Sequence, residues 1–240
     1  MRKIFSVVLG GMVLFGAGAA RADDALARDT SDPLYLQAIE EILSNTTLSF
    51  SDSTLRIGQA VSYGINNRLT LGANIHYQND FDGKEDGFSA IDVGGIYRLA
   101  RASDNDQHII TDVLAGLKFG GSSHVRTPYF ADSTYYAGLR FGRQWTGFTL
   151  AATVKSSWIF DDARGMSYID FVPEAYFRIN PDWRLGASFT WRKSTNPDYN
   201  QEWLEGKVVR QYGRTQYVGQ IGYEFEGDDV SVGTRVNILF

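Results

Sequence analysis

Cysteine is absent from this 240-residue chain, and histidine is scarce, at three residues. Without thiols there is no disulfide framework, no thiolate metal site and no cysteine nucleophile. Long apolar runs are missing too, apart from one at the N-terminus. A mean hydropathy of -0.23 is low for a bundle of membrane helices, each of which needs about 20 consecutive apolar residues. Basic residues are dispersed and outnumbered, 23 against 28 acidic, which argues against a nucleic-acid partner. No metal-ligand spacing, phosphate loop or dinucleotide fingerprint is present. Gly94-Gly95 and Gly120-Gly121 are isolated pairs suited to close packing or bends. The sequence thus predicts neither a metal nor a cofactor.

The one apolar run has three parts: a cationic start (Met1-Arg2-Lys3), an apolar stretch from Ile4 to Phe15, and small residues ending at Ala20 and Ala22. This layout predicts a secretory signal peptide over 1–22, with Asp23 to Phe240 as the mature chain. Removing Arg2, Lys3 and Arg21 takes the net charge from -5 to -8.

What fills the rest is alternation. From Leu55 onward apolar residues recur at every second position over segments of about 10 to 13 residues, a strand period rather than a helical one. The set Leu69, Leu71, Ala73, Ile75 and Tyr77 is typical, and Tyr135, Ala137, Leu139, Phe141 and Trp145 repeat it. The charged residues of these segments take the other face: Arg56, Asp92, Arg98, Asp112, Lys118, Arg140, Lys155, Asp170, Glu174, Arg178, Arg184, Arg192, Glu224 and Arg235, joined by His76. Arg143 alone shares the apolar face, two residues from the turn at Thr146-Gly147, where it is placed to snorkel.

Either a soluble barrel with an apolar core or a membrane barrel with lipid outside buries one face of many strands. Three features favour the membrane barrel. The segments are as long as a tilted spanning strand, roughly 9 to 11 residues. Aromatic residues gather at strand ends (Tyr63, Tyr77, Tyr97, Trp145, Phe148, Trp158, Phe160, Trp183, Trp191), as an interfacial girdle requires. The charged face suits a hydrated lumen.

The closing run Val232-Gly233-Thr234-Arg235-Val236-Asn237-Ile238-Leu239-Phe240 resembles the terminal strand of bacterial outer-membrane β-barrels, which alternates and ends in phenylalanine. That resemblance implies residence in the cell outer membrane beside lipopolysaccharide. It also implies passage through periplasmic chaperones to the barrel assembly machinery, with Val236, Ile238 and Phe240 as the assembly signal. A shorter phrase, residues 63–72 (Tyr63-Gly64-Ile65-Asn66-Asn67-Arg68-Leu69-Thr70-Leu71-Gly72), looks like the strand-turn-strand of meta-pathway phenol-degradation transporter-like barrels.

Ten alternating segments are plain, but ten strands with Phe240 in the periplasm would put the short turns outside, against the usual asymmetry. The alternation changes phase across Ser51-Asp52-Ser53 and again near Gly213, so each place is a turn or a bulge. Two turns add strands at 46–51 and 203–212. The expectation is therefore an all-β antiparallel transmembrane barrel of about 12 strands over 46–240, with ten as the alternative and a local bulge at Pro173. Residues 23–45 form a separate segment. Leu34, Leu36, Ile39, Ile42 and Leu43 have partial helical spacing, giving a short helical or irregular piece that is a periplasmic tether, the favoured reading, or a lumen plug.

Nine basic residues against five acidic on the lumen face predict a small porin-like channel with a weak preference for anionic small solutes. A closed structural or assembly barrel is the alternative, because charges in a narrow lumen pair and fill it. A lipid- or peptide-hydrolysing enzyme ranks third: His76 with Asp80, or Ser122, Ser123 and His124 in an outer loop, have no diagnostic spacing, and no catalytic residue is assigned. Negative charge concentrates in the loops (Asp80, Asp82, Glu85, Asp86, Asp161, Asp162, Asp198, Glu202, Glu226, Asp228, Asp229), read as a solvated surface.

Overall fold

The computed structural model describes residues 29–81, 86–104, 108–122, 130–160, 167–195 and 200–240. The expected signal peptide, residues 23–28, the loop acids Asp82, Glu85, Asp161, Asp162 and Asp198, and Ser123 with His124 lie outside them. Period-two alternation becomes thirteen strands: β1 (Ile42–Phe50), β2 (Thr54–Asn66), β3 (Leu69–Asp80), β4 (Gly87–Phe88), β5 (Ile91–Ala100), β6 (Ile109–Phe119), β7 (Thr134–Trp145), β8 (Phe148–Ile159), β9 (Ser167–Arg178), β10 (Trp183–Ser194), β11 (Asn200–Tyr212), β12 (Thr215–Glu224) and β13 (Asp229–Leu239). All pairings are antiparallel, and β1 bonds both β2 and β13, so the sheet closes into a barrel with no free edge. Twelve strands make the ring. The two-residue β4 extends the short β3–β5 ladder, pairing with the far end of β3.

Both changes of phase are turns. Ser51–Ser53 joins β1 to β2, and Gly213-Arg214 joins β11 to β12, with Gly213 at φ +56°, where a side chain would be strained. The ring is therefore twelve strands, not ten. One rim carries Asn66-Asn67, the 101–108 link, Thr146-Gly147, Asn180–Asp182, Gly213-Arg214, Phe240 and the start of β1; the other carries the 51–53 and 225–228 turns and the links over 81–90, 120–133, 160–166 and 195–199. Short turns mark the periplasmic rim of such barrels.

Three expectations need correction. Among the described residues no α-helix occurs, and the 34–43 stretch is a pair of turns followed by strand. Beyond a turn bond from Glu41 N to Ala38 O at 3.2 Å, its backbone groups bond β2: Glu40 N donates to Gly64 O at 2.8 Å, and Gly64 N donates to Glu41 O at 2.9 Å. A Cβ on Gly64 would collide with the Ala38 carbonyl, so this approach requires glycine. Accordingly β1 starts at Ile42 rather than 46, and β11 starts at Asn200 rather than 203. Finally, Pro173 causes no bulge. It pairs with Ala152 in register, while the β9–β10 ladder lapses beside it and resumes unshifted, because a missing N–H removes a bond without inserting a residue. The register shifts fall at Gly64/Asn66 and Arg98/Ala100.

The apolar face looks outward. Leu71, Phe141, Leu185 and Ile221 are 46%, 44%, 42% and 58% exposed, the reverse of a dry core. Aromatic rings band both rims: Tyr135 stacks with Trp158 and packs on Phe160 at one, and Trp145, Phe148 and Phe177 form a chain at the other. Arg143 lies over the Trp145 ring at 5.1 Å. A continuous apolar exterior needs hydrocarbon around it, and a closed barrel pairs its backbone groups strand to strand there, the lapse beside Pro173 apart. The protein is a transmembrane β-barrel of the outer-membrane type.

Candidate solute pathway in the barrel lumen

Strand pleating directs alternate side chains into the closed ring, and register sets their height. Arg98 on β5, Asp112 on β6 and Arg140 on β7 pair in one row. Arg98 Nε donates to Asp112 Oδ1 at 2.8 Å and Arg140 Nε donates to Oδ2 at 2.9 Å, leaving the carboxylate 0% exposed. A second row, nearer the loop rim, repeats the pattern across β8, β9 and β10. Asp170 accepts from Arg192 Nε at 2.6 Å and lies 3.2 Å from Lys155 Nζ. In a third row Arg178 and Arg184 face each other directly, and the sheet supplies no acid between them. Like charges so placed repel. Asp29 of the N-terminal segment fills the gap, at 2.8 Å from Arg184 Nε and 3.8 Å from Arg178.

The other expected lumen residues share this face. Arg56 donates to Gln78 Oε1 at 2.8 Å with its guanidinium over Phe130. The ring of His76 lies against Gly58 and Thr47, and its backbone N–H is bonded to Ser89 Oγ at 2.9 Å. Asp92 accepts from Tyr136 Oη at 3.0 Å across the intervening β6, and Lys118 stands opposite Asp92 in register. Glu174 meets Lys207 at 3.5 Å, Glu224 accepts from Gln201 at 3.1 Å, and Arg235 lines the central cavity with a buried Nε that has no hydrogen-bond partner. Large side chains lie flat along glycine stretches of wall: Tyr136 over Gly94 and Gly116, Lys207 over Gly186. Flattening them against the wall keeps them out of the middle of the lumen.

Segment 29–38 enters this space from the periplasmic rim. Leu34 is 1% exposed, packed with Ile110 and Ala151, and Asp29, Ser31 and Gln37 are buried. Arg98 Nη2 donates to Leu34 O at 2.6 Å and Arg140 Nη2 donates to Tyr35 O at 3.4 Å. Ser31 donates to Gln216 at 2.6 Å, Thr149 donates to Asp32 at 2.6 Å, and Gln37 bonds Ser62. Above the segment lies a cavity of about 440 Å³, bordered by Ser31, Asp32, Tyr35, Asn74, Lys207 and Arg235 among others. Below it a second, of about 210 Å³, reaches the Thr146-Gly147 turn past Asp29, Asp32 and Arg178. The segment is the partition between them.

Sequence reasoning missed Lys207, Tyr136, Tyr176, Gln216, Asn237 and the whole N-terminal set. Lys207 was signalled by the change of phase, since an even-numbered outer face (Leu204, Val208, Tyr212) puts odd residues inside. Asp29 and the Oδ2 of Asp32 carry no local signal, because the side chains they bond are more than 100 residues away, while Asp32 Oδ1 merely accepts from Leu34 N. The enzyme candidate His76 is placed in the wall as described. Among the described residues no cluster of His, Cys, Asp or Glu is arranged to hold a metal ion.

No family model matches the chain, and no curated protein does. Solved structures do. The KdgM porin superposes with a TM-score of 0.61 at 12% identity, covering 82% of this chain and 98% of that one. The COG4313 outer membrane channel from Pseudomonas putida gives 0.60 at 12%, covering 88% and 99%, and the NanC porin 0.60 at 12%, covering 82% and 98%. The fold is that of an outer-membrane porin. For this porin-like barrel, the likeness of residues 63–72 to phenol-degradation transporters gains no support. That stretch is the end of β2, a turn and the start of β3, a phrase any such barrel needs.

Proposed function

We propose that the barrel is an outer-membrane channel for small solutes with a weak preference for anions. One observation carries the reading: three charge clusters in the lumen set two cations on one carboxylate, Arg98–Asp112–Arg140, Lys155–Asp170–Arg192 and Arg178–Asp29–Arg184. In these three clusters the carboxylate is neutralised and a surplus positive charge remains, whereas Glu174 and Lys207 pair one to one. A water-filled lumen so lined lowers the barrier for anions more than for cations. A KdgM structure described in complex with disordered oligogalacturonate is consistent with this reading.

The described part of the 23–45 segment supplies the constriction in this reading, Asp29 to Gln37 narrowing the periplasmic mouth. That same partition favours the second reading, a closed barrel without conductance. Planar-bilayer recording with reversed salt gradients separates them. Stepwise current whose reversal potential has the anion sign is expected, and a silent bilayer with heat-modifiable, folded protein sinks the channel. Val236 and Ile238 on the outer face of β13, with the exposed Phe240, remain our assignment for the signal read by the assembly machinery.

A further inference from the structure

We propose that the Arg178–Arg184 row is a binding site for small carboxylate anions, held shut by the chain's own Asp29. The wall itself argues for it. Two of the three charge rows are completed by an acid on the middle strand, whereas this one sets two guanidiniums face to face with nothing from the sheet between them. What fills the gap is borrowed, and its coordination is that of a bound ligand. Asp29 Oδ2 accepts from Arg184 Nε at 2.8 Å with Arg178 at 3.8 Å. Its Oδ1 accepts from Tyr176 Oη at 2.6 Å and from Gln216 Nε2 at 2.9 Å.

These donors come from β9, β10 and β12, so every side chain that holds the Asp29 carboxylate belongs to the barrel. Both carboxylate oxygens are satisfied, one by cations and one by neutral donors. That division suits a planar monoanion with two oxygens better than a phosphate, whose further oxygens and second charge find no partners. Arg184 is 2% exposed with Asp29 seated, and a guanidinium so buried is stabilised by a counter-anion, the place Asp29 takes. The cavity of about 210 Å³ lined by Asp29, Tyr176 and Arg178 gives a solute room beside the site at the periplasmic mouth. A solute carboxylate exchanges for Asp29 with no change in charge. Exchange frees the segment's first anchor, leaving Ser31, Asp32 and Leu34 to hold it.

This deepens the channel reading by naming the solute class. Its test measures binding and needs no current, so the two can fail separately. Full-length protein in detergent, its fold checked by heat-modifiable migration, is titrated calorimetrically with sodium acetate against sodium chloride and sodium phosphate at equal ionic strength. Asp29→Ala opens the pocket, and Asp29→Asn serves as the milder variant should alanine leave Arg184 too poorly paired to fold. Saturable acetate binding near one per chain is expected in both, about tenfold or more tighter than in the wild type. It should be lost when Arg184→Gln is added to either variant, and neither chloride nor phosphate should reproduce it. The proposal is overturned if folded Asp29→Ala or Asp29→Asn shows no saturable acetate binding, if binding survives Arg184→Gln, or if phosphate binds as well as acetate.

Discussion

The Arg98–Asp112–Arg140 and Lys155–Asp170–Arg192 rows are built alike, a carboxylate on a middle strand between cations on its two neighbours, yet they sit in different company. At the periplasmic end both arginines spend their remaining donors on the backbone of the N-terminal segment, at Leu34 O and Tyr35 O. Toward the loop rim the cations turn to aromatic faces, Lys155 over Tyr136 at 5.4 Å and Arg192 over Trp203 at 5.4 Å, with Arg192 reaching Gln201. One cluster clamps the segment and the other packs against aromatic rings of the lumen wall. The lesson is that equal charge content in a lumen does not mean equal function; what the spare hydrogen-bond capacity is spent on decides it.

The comparison breaks most sharply at its first member. Asp112→Ala should destabilise the barrel by about 3–5 kcal/mol, since two buried arginines lose their counter-charge, and should release the segment. Urea unfolding in lipid vesicles, with conductance noise as the companion readout, measures both. Next comes the face on which the comparison depends. Leu139, the sequence neighbour of Arg140, points the opposite way, and Leu139→Arg should cost about 2–4 kcal/mol near the bilayer midplane by the same assay. A cost near zero would put water on that side. Asp170→Asn should cost less, about 1–3 kcal/mol, while shifting the reversal potential further toward anions, because a lumen charge is removed without freeing the segment. Tyr136→Phe deletes a single hydrogen bond to Asp92, and about 1 kcal/mol is expected with selectivity almost unchanged. Smallest of all is His76→Ala: mass spectrometry of lipid A and of peptide substrates should find the same molecules with wild type and variant. A hydrolysis product that disappears with the imidazole would return the enzyme reading.

The barrel was legible because its signal is local and repeated. Period-two alternation in Leu69–Tyr77 or Tyr135–Phe141 fixes both the strand and its outward face, and the phase change at Gly213 shows where one strand ends and another begins. Lumen charges such as Asp112 and Arg140 follow from the same parity. What escaped is everything that depends on register between distant strands. Which acid meets which base, the β1 boundary at Ile42, and the seating of Asp29 are set by pairings that no spacing along the chain encodes. The helical spacing near Leu34 misled for a related reason: Leu34 is apolar because it is wedged against Ile110 and Ala151, whereas Ile42 and Leu43 already belong to strand alternation.

The partners of residues 29–31 have a consequence for how the molecule is made. Tyr176, Arg184, Gln216 and Asn237 lie 147 to 207 positions further along the chain, so nothing exists for this stretch to dock on until the last third of the polypeptide has been laid down. Its docking belongs to the same late stage as barrel closure, since β1 meets β13 across a comparable span, Leu43 with Leu239. Sealing the cylinder and filling its lower aperture thereby wait on the same final stretch of polypeptide.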